Sequence, residues 1–199
     1  MLRQPREMNT GNGRGLRSIS AASLQSGQFL TLTRPEKGVA MTIKVQNGFI
    51  RLSSACTEDS DDITMALMSN VEEGTIWYPD SITLQAEAIK PTKLEINYHN
   101  QRFYEGNDYL CDWIMLLHWV RHPIKTDDRL MRLIAVMSQR LGRRTIDGYK
   151  IEFLLPHARL GEIIGATRST VSRTLGALRK QKKIIIDDEN KELIIPINN

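Results

Sequence analysis

The chain has 199 residues, 41% of them hydrophobic and 25% charged, with a formal net charge of +4. That size and apolar content support one generous domain or two small ones, and no run approaches the roughly 20 apolar residues of a membrane span. No apolar stretch follows the N-terminal arginines as a secretion signal requires, so the expected setting is cytoplasmic, with no membrane partner.

Two cysteines, Cys56 and Cys111, lie far apart. This argues against a disulfide framework, a cysteine-based zinc site or a four-cysteine iron–sulfur cluster, and both are expected to be buried thiols. Charge is uneven along the chain. Residues 121–183 hold 15 Lys/Arg against 5 Asp/Glu, a net of +10, whereas residues 28–120 hold 7 against 13, a net of −6. A basic nucleic-acid-binding module joined to an acidic, non-binding one explains this asymmetry.

Residues 1–27 are rich in Gly, Ser, Asn and Arg without apolar periodicity and read as a basic, disordered tail. Short runs rich in β-branched and apolar residues follow at 29–33, 41–45, 49–52, 63–68, 75–78, 82–88 and 93–96. Seven short strands predict an antiparallel roll or sandwich over 28–106. Asn47-Gly48 between two of them predicts a two-residue hairpin, because a type I′ turn needs positive φ at both central positions.

Residues 107–122 read as a helix that is apolar on every side. Leu110, Ile114 and Leu117 fall at i, i+4 and i+7, and Trp113 and Val120 extend the stripe, while Met115, Leu116 and Trp119 lie opposite. One side is expected to cover the roll. The stripe of Leu110, Trp113, Ile114, Leu117 and Val120 is the expected dimer seam, met by a twofold-related copy; burial within the monomer is the alternative. Pro123 ends this helix, and Thr126-Asp127-Asp128 predicts the capped, acidic start of a second one reaching about Leu141.

Residues 123–199 carry the functional pattern. Asp147-Gly148 predicts a small hairpin, and a short helix over 158–164 then places Leu160, Ile163 and Ile164 on one face. Gly165-Ala166-Thr167 forms a turn closed by an N-cap threonine, and a second helix runs from Arg168 to Lys180. Its Val171, Leu175 and Leu178 must face inward. At about 100° per residue the opposite face carries Ser169, Arg173, Gly176 and Lys180, flanked by Arg168, Ser172 and Arg179. Arginine reads guanine O6 and N7 in the major groove, small residues allow close approach, and hydroxyls and cations hold phosphates. Thr167, Thr170 and Lys182 join this expected DNA-binding set, and the helix N-terminus favours a phosphate. Residues 182–195 read as strand, polar turn and strand, a wing.

With these residues in view, the chain resembles the Crp/Fnr family of bacterial transcription regulators, most nearly its cyanobacterial nitrogen-control branch. The tightest likeness is the run Thr-Arg-Ser-Thr-Val-Ser-Arg-Thr-Leu-Gly-Ala-Leu-Arg within residues 160–180, and it extends less tightly over 127–195. The resemblance implies an α+β fold: an N-terminal antiparallel β-roll, shortened but like a cyclic-nucleotide-binding domain, then a dimerisation helix and a C-terminal winged helix-turn-helix. It also implies that Arg168 and Arg173 fall on the family's two DNA-reading arginines, and that Ser169 stands where several members carry a cytosine-reading glutamate. By the same likeness, residues 142–149, with Arg143, Arg144 and Asp147, are a candidate RNA polymerase contact.

The family's cyclic-nucleotide binders hold the ligand phosphate with a Gly-Glu loop, a short helix and an arginine. Here no arginine lies between Arg51 and Arg102, and residues 72–80 leave no room for that helix. Glu72, Glu73 and Asp80 would face an anionic ligand with only Lys90 and Lys93 as candidate cations, so no cyclic nucleotide is expected; no residue pattern calls for a metal or another cofactor. The residues therefore point to a non-enzymatic, homodimeric regulator of double-stranded DNA. A second reading is an interaction module whose DNA binding depends on a partner or a small-molecule effector, with the acidic roll and Trp77 and Tyr78 as its docking face. No nucleotide-binding Gly-rich loop in its required strand–helix context, HExxH or nucleophile elbow supports catalysis.

Overall fold

A computed structural model describes residues 19–55, 62–70, 73–100, 106–146 and 148–196. Eight strands come first: β1 (Ile19–Leu24), β2 (Phe29–Thr31), β3 (Val39–Asn47), β4 (Phe49–Ser54), β5 (Thr64–Ser69), β6 (Glu73–Ile76), β7 (Leu84–Ala88) and β8 (Thr92–Asn100). They form two four-stranded antiparallel sheets, ordered β1-β8-β3-β6 and β2-β7-β4-β5. Helices α1 (Tyr109–Arg121) and α2 (Thr126–Leu141) follow. The C-terminal part is β9 (Arg143–Arg144), β10 (Gly148–Ile151), α3 (His157–Ile164), α4 (Arg168–Lys180), β11 (Ile185–Asp187) and β12 (Glu192–Pro196), with sheet order β11-β12-β10-β9.

The period-2 pattern explains the roll. On β3 the alternation holds from Ile43 onward, with Ile43 and Val45 buried while Lys44 and Gln46 are exposed; toward its start Ala40 and Thr42 are buried along with Met41. Strand β4 differs, because Phe49 to Ser53 are all buried. Successive side chains point to opposite faces, so Ile50 and Leu52 fill the roll while Phe49, Arg51 and Ser53 lie on the other face. There the Phe49 ring meets Phe153 at 4.3 Å between centroids, and Arg51 meets α3. One continuous buried cluster accordingly runs from Leu24 through α1 and α2 to Leu193.

The expected Asn47-Gly48 hairpin does not form, since β3 pairs with β8 and β6, and β4 pairs with β5 and β7. Gly48 (φ 87°) instead turns the chain from one sheet to the other, and Asn47 keeps negative φ. A Cβ at Gly48 would overlap the Thr92 hydroxyl and lie 2.5 Å from the Pro91 carbonyl oxygen; glycine is required there by close approach. Thr92 Oγ1 accepts the Phe49 N–H at 3.1 Å, pinning the corner.

Residues 19–24, expected within the tail, form β1 on the edge of β8. Their small side chains, Ser-Ala-Ala-Ser, hide the alternation that would have announced a strand. Arg3, Arg6, Arg14 and Arg17 of the tail, together with Cys56, Glu72 and Asp147, lie outside the described residues.

Helix α1 divides the expected dimer seam. Leu110, Trp113, Leu117 and Val120 are buried inside the protomer; of the five, Ile114 alone is exposed. Tyr109, whose hydroxyl donates to the Leu67 carbonyl at 2.8 Å, anchors the helix on β5. The roll and α2 take the stripe expected to meet a partner. The solvent-facing side carries Cys111, Ile114, Met115, His118 and Trp119, so Cys111 is an exposed thiol rather than a core residue. At α2, Lys125 occupies the N-cap position without a side-chain bond and Thr126 is already helical, while Asp127 and Asp128 lie in the first turn, where their charge suits the helix dipole.

Candidate nucleic-acid interface

The local chemistry of α3 and α4 sets the angle between them. Gly165 ends α3 in the left-handed region (φ 65°, ψ 52°), a conformation glycine adopts without the Cβ penalty. Gly161 lies under the returning chain, where a Cβ would sit 2.5 Å from the Ala166 carbonyl oxygen. Thr167 caps α4 by accepting the Thr170 N–H at 3.2 Å. Val171, Thr174, Leu175 and Leu178 turn inward, and the Thr174 hydroxyl donates to Asp127 at 3.2 Å, tying α4 to α2.

The opposite face is open. Arg168, Ser169, Ser172, Arg173, Gly176, Arg179 and Lys180 are all exposed, with Lys182 just beyond the helix and Thr170 half-buried. Thr167 Oγ1 lies 2.9 Å from both Ser169 Oγ and Thr170 Oγ1, which gathers three hydroxyls at the start of α4. No atom lies within 4 Å of a Cβ built on Gly176; folding does not demand glycine there. Arg179 is engaged, its Nη1 lying 3.0 Å from Asp188 Oδ2. In the small hairpin, Arg143 and Arg144 are exposed on β9, and Arg143 pairs with Glu152 at 2.9 Å.

A second polar assembly, with no counterpart in the sequence reading, lies between the roll and α3. Arg51 is fully buried, and its Nη1 contacts Asp62 at 2.7 Å and Glu87 at 2.9 Å, its Nε donates to Thr64 at 2.6 Å, and its Nη2 lies 3.5 Å from Glu162. Arg159 reaches Asp62 at 2.7 Å and Glu87 at 3.2 Å. Glu162 also accepts the Thr64 N–H at 3.0 Å and the Thr64 hydroxyl proton. Burial pushes the Asp62 carboxyl up, but the hydrogen bonds and charges of Arg51 and then Arg159 outweigh it and hold the group below its usual value. These five charged groups are scattered from residue 51 to residue 162, so no spacing could have disclosed them.

The segment after β6 enters β7 without a helix: residues 77–83 are turn and extended chain. The Tyr78 hydroxyl donates to the Leu32 carbonyl at 3.0 Å and accepts the Leu84 N–H at 2.8 Å, which leaves Trp77, 46% exposed, as the open aromatic of the pair. Among the described residues no helix is long and apolar enough to cross a membrane, and no cluster of three His, Cys, Asp or Glu side chains could hold a metal.

Helix, left-handed glycine turn, capped helix and two-stranded wing together define a winged helix-turn-helix. Residues 128–197 match the family model described as the Crp-like helix-turn-helix domain. Over 69 residues the chain is 35% identical to the global nitrogen regulator of Synechococcus elongatus, covering 35% of this chain and 31% of that protein. Over 58 residues it is 40% identical to the global nitrogen regulator of Nostoc sp., covering 29% and 26%. The matched segments span about a third or less of those relatives.

Solved structures extend the likeness over the whole fold. FixK2 from Bradyrhizobium japonicum superposes with a TM-score of 0.64 at 16% identity, covering 89% of this chain and 92% of that one. A transcriptional regulator of the CRP family from Thermus thermophilus gives 0.61 at 13% identity over 88% and 92%. The C-terminal part of this chain thus matches the Crp-like helix-turn-helix domain, and the chain as a whole shares its fold with FixK2 and with the CRP-family regulator of Thermus thermophilus.

Proposed function

We propose that the chain is a sequence-specific transcription regulator that binds double-stranded DNA as a homodimer, at a near-palindromic site with half-sites about one helical turn apart. The outward face of α4 carries this reading: exposed Arg173 at its centre, Ser169 and Lys180 beside it, and Gly176 leaving room for the groove edge. The exposed apolar side of α1, with Ile114, Met115 and Trp119, supports a second copy as partner, because an aqueous surface seldom leaves such a row uncovered.

Control by a cyclic nucleotide is not part of this reading. The helix-free passage from β6 to β7 and the engagement of Arg51 by three carboxylates both disfavour an anionic ligand in the roll. The exposed β9 arginines stand as candidate polymerase contacts by resemblance alone. Selection from a random duplex pool at stated salt, with the mass of the complex measured, tests the whole reading. A palindrome bound by two chains supports it, and absence of sequence enrichment overturns it.

A further inference from the structure

The chemistry of the wing is unlike that of the helix beside it. Residues 168–183 carry six Lys/Arg and no Asp/Glu, whereas residues 185–196 carry four Asp/Glu and one Lys. Asp187 organises the wing tip: its Oδ1 accepts the N–H groups of Glu189 and Asn190, each at 3.0 Å, and its Oδ2 accepts the Asn190 side-chain amide at 2.7 Å. Hydrogen bonds from Asn190 first, then Glu189, hold the Asp187 carboxyl below its usual value, so the tip is anionic at neutral pH. On this ordered tip Asp188 reaches Arg179 at 3.0 Å, with both side chains more than half exposed.

Duplex DNA is a polyanion, and each phosphate a protein neutralises adds both affinity and salt dependence. An acidic wing tip meets that surface with like charge, and an arginine held by a carboxylate has its charge already compensated. We propose that Asp188 sequesters Arg179 from the DNA backbone, so that the wing restrains phosphate binding and leaves more of the interaction to the base-reading face around Arg173. This inference rests on the DNA-binding reading above. It removes Arg179 from the phosphate contacts expected from sequence and makes Asp188 a determinant of affinity.

The test compares the wild-type chain, Asp188→Asn, Arg179→Ala and the double variant on selected and random duplexes across a salt titration. Glu36→Gln, an exposed carboxylate on the loop before β3, controls for the change in total charge. Asp188→Asn is expected to bind both duplexes several-fold more tightly, with the log–log salt slope steeper by about 0.9, one added phosphate contact. Arg179→Ala is expected to match the wild type within about twofold, and to remove most of the gain from Asp188→Asn, leaving the smaller part that comes from relieving like charge at the wing tip. An unchanged slope in Asp188→Asn, a gain that survives undiminished in the double variant, or an equal gain from Glu36→Gln each overturns the proposal. So does a salt slope shallower by about 0.9 in Arg179→Ala, which would show that the wild-type arginine already neutralises a phosphate. Failure of the wild type to bind any duplex instead overturns the DNA-binding reading itself.

Discussion

Arg51 on β4 and Glu162 on α3 lie 3.5 Å apart across the junction between the roll and the helix-turn-helix. Asp62 and Glu87 on the roll and Arg159 on α3 complete the assembly around them. Two guanidiniums thus face three carboxylates where side chains are largely withdrawn from water. Removing one member of such a group costs more than the group contributes as a whole, because the remaining charges stay buried without compensation.

Arg51→Met is therefore expected to lower stability by about 3–5 kcal/mol, read as a reduced urea midpoint. Lys44→Ala breaks an exposed pair with Glu73 at 3.8 Å and should change stability by less than about 1 kcal/mol. Equal effects from the two would refute the view that burial sets the cost.

Acid should weaken the same junction. The folded-state value of Asp62 is lowered, so its stabilisation is complete above the unfolded-state value of about 3.9 and is lost as pH falls through the lower folded-state value. Stability of the wild type is expected to drop below about pH 4, and Asp62→Asn should be less stable at neutral pH with a shallower decline in that window. An identical acid limb in both proteins would remove Asp62 from the account.

Arg173→Ala should reduce binding to a selected site by about 1–3 kcal/mol and relax preference at one base pair. Equal loss on random duplex would show that Arg173 holds phosphate and reads no base.

On α1, neighbouring positions should separate association from folding. Trp119→Glu and Met115→Glu change exposed residues and are expected to give a folded monomer by sedimentation, with the helical spectrum kept. Leu117→Glu, at a buried position, is expected to unfold the protein, since a buried charge without a partner is costly. If the two exposed substitutions leave a dimer intact, the twofold interface lies elsewhere.

Gly165→Ala tests the turn. Space around that position is free, with the Arg129 guanidinium at 3.5 Å as the nearest contact, so the cost is the left-handed backbone alone, about 1–2 kcal/mol by urea unfolding. Gly165→Asn should lose less, because asparagine tolerates that region.

The helix-turn-helix was legible because its determinants are local. The Thr167 cap, the spacing of Val171, Leu175 and Leu178, and the glycine at the turn all lie within a few residues of what they specify. Contacts made at long range left no such mark. Asn47-Gly48 has a hairpin's composition but serves as an inter-sheet corner, because Pro91 and Thr92, far along the chain, press on it. The stripe on α1 showed that the helix is covered but not which side belongs to the protomer, since periodicity registers burial without naming the partner. Arg51 reads as an ordinary strand residue until α3 is placed against it.

The contact between Phe49 and Phe153, beside the Arg51 assembly, bears on modularity. The residues proposed to read DNA occupy the last third of the chain, yet the surface behind them is completed by a sheet that begins far upstream. Residues 128–197 cut out alone would present Phe153 to water and strip Arg159 and Glu162 of their counter-ions on the roll. The helix-turn-helix is consequently not a cartridge that can be lifted onto another domain unchanged; a graft would have to bring a matching aromatic face and a matching set of charges with it.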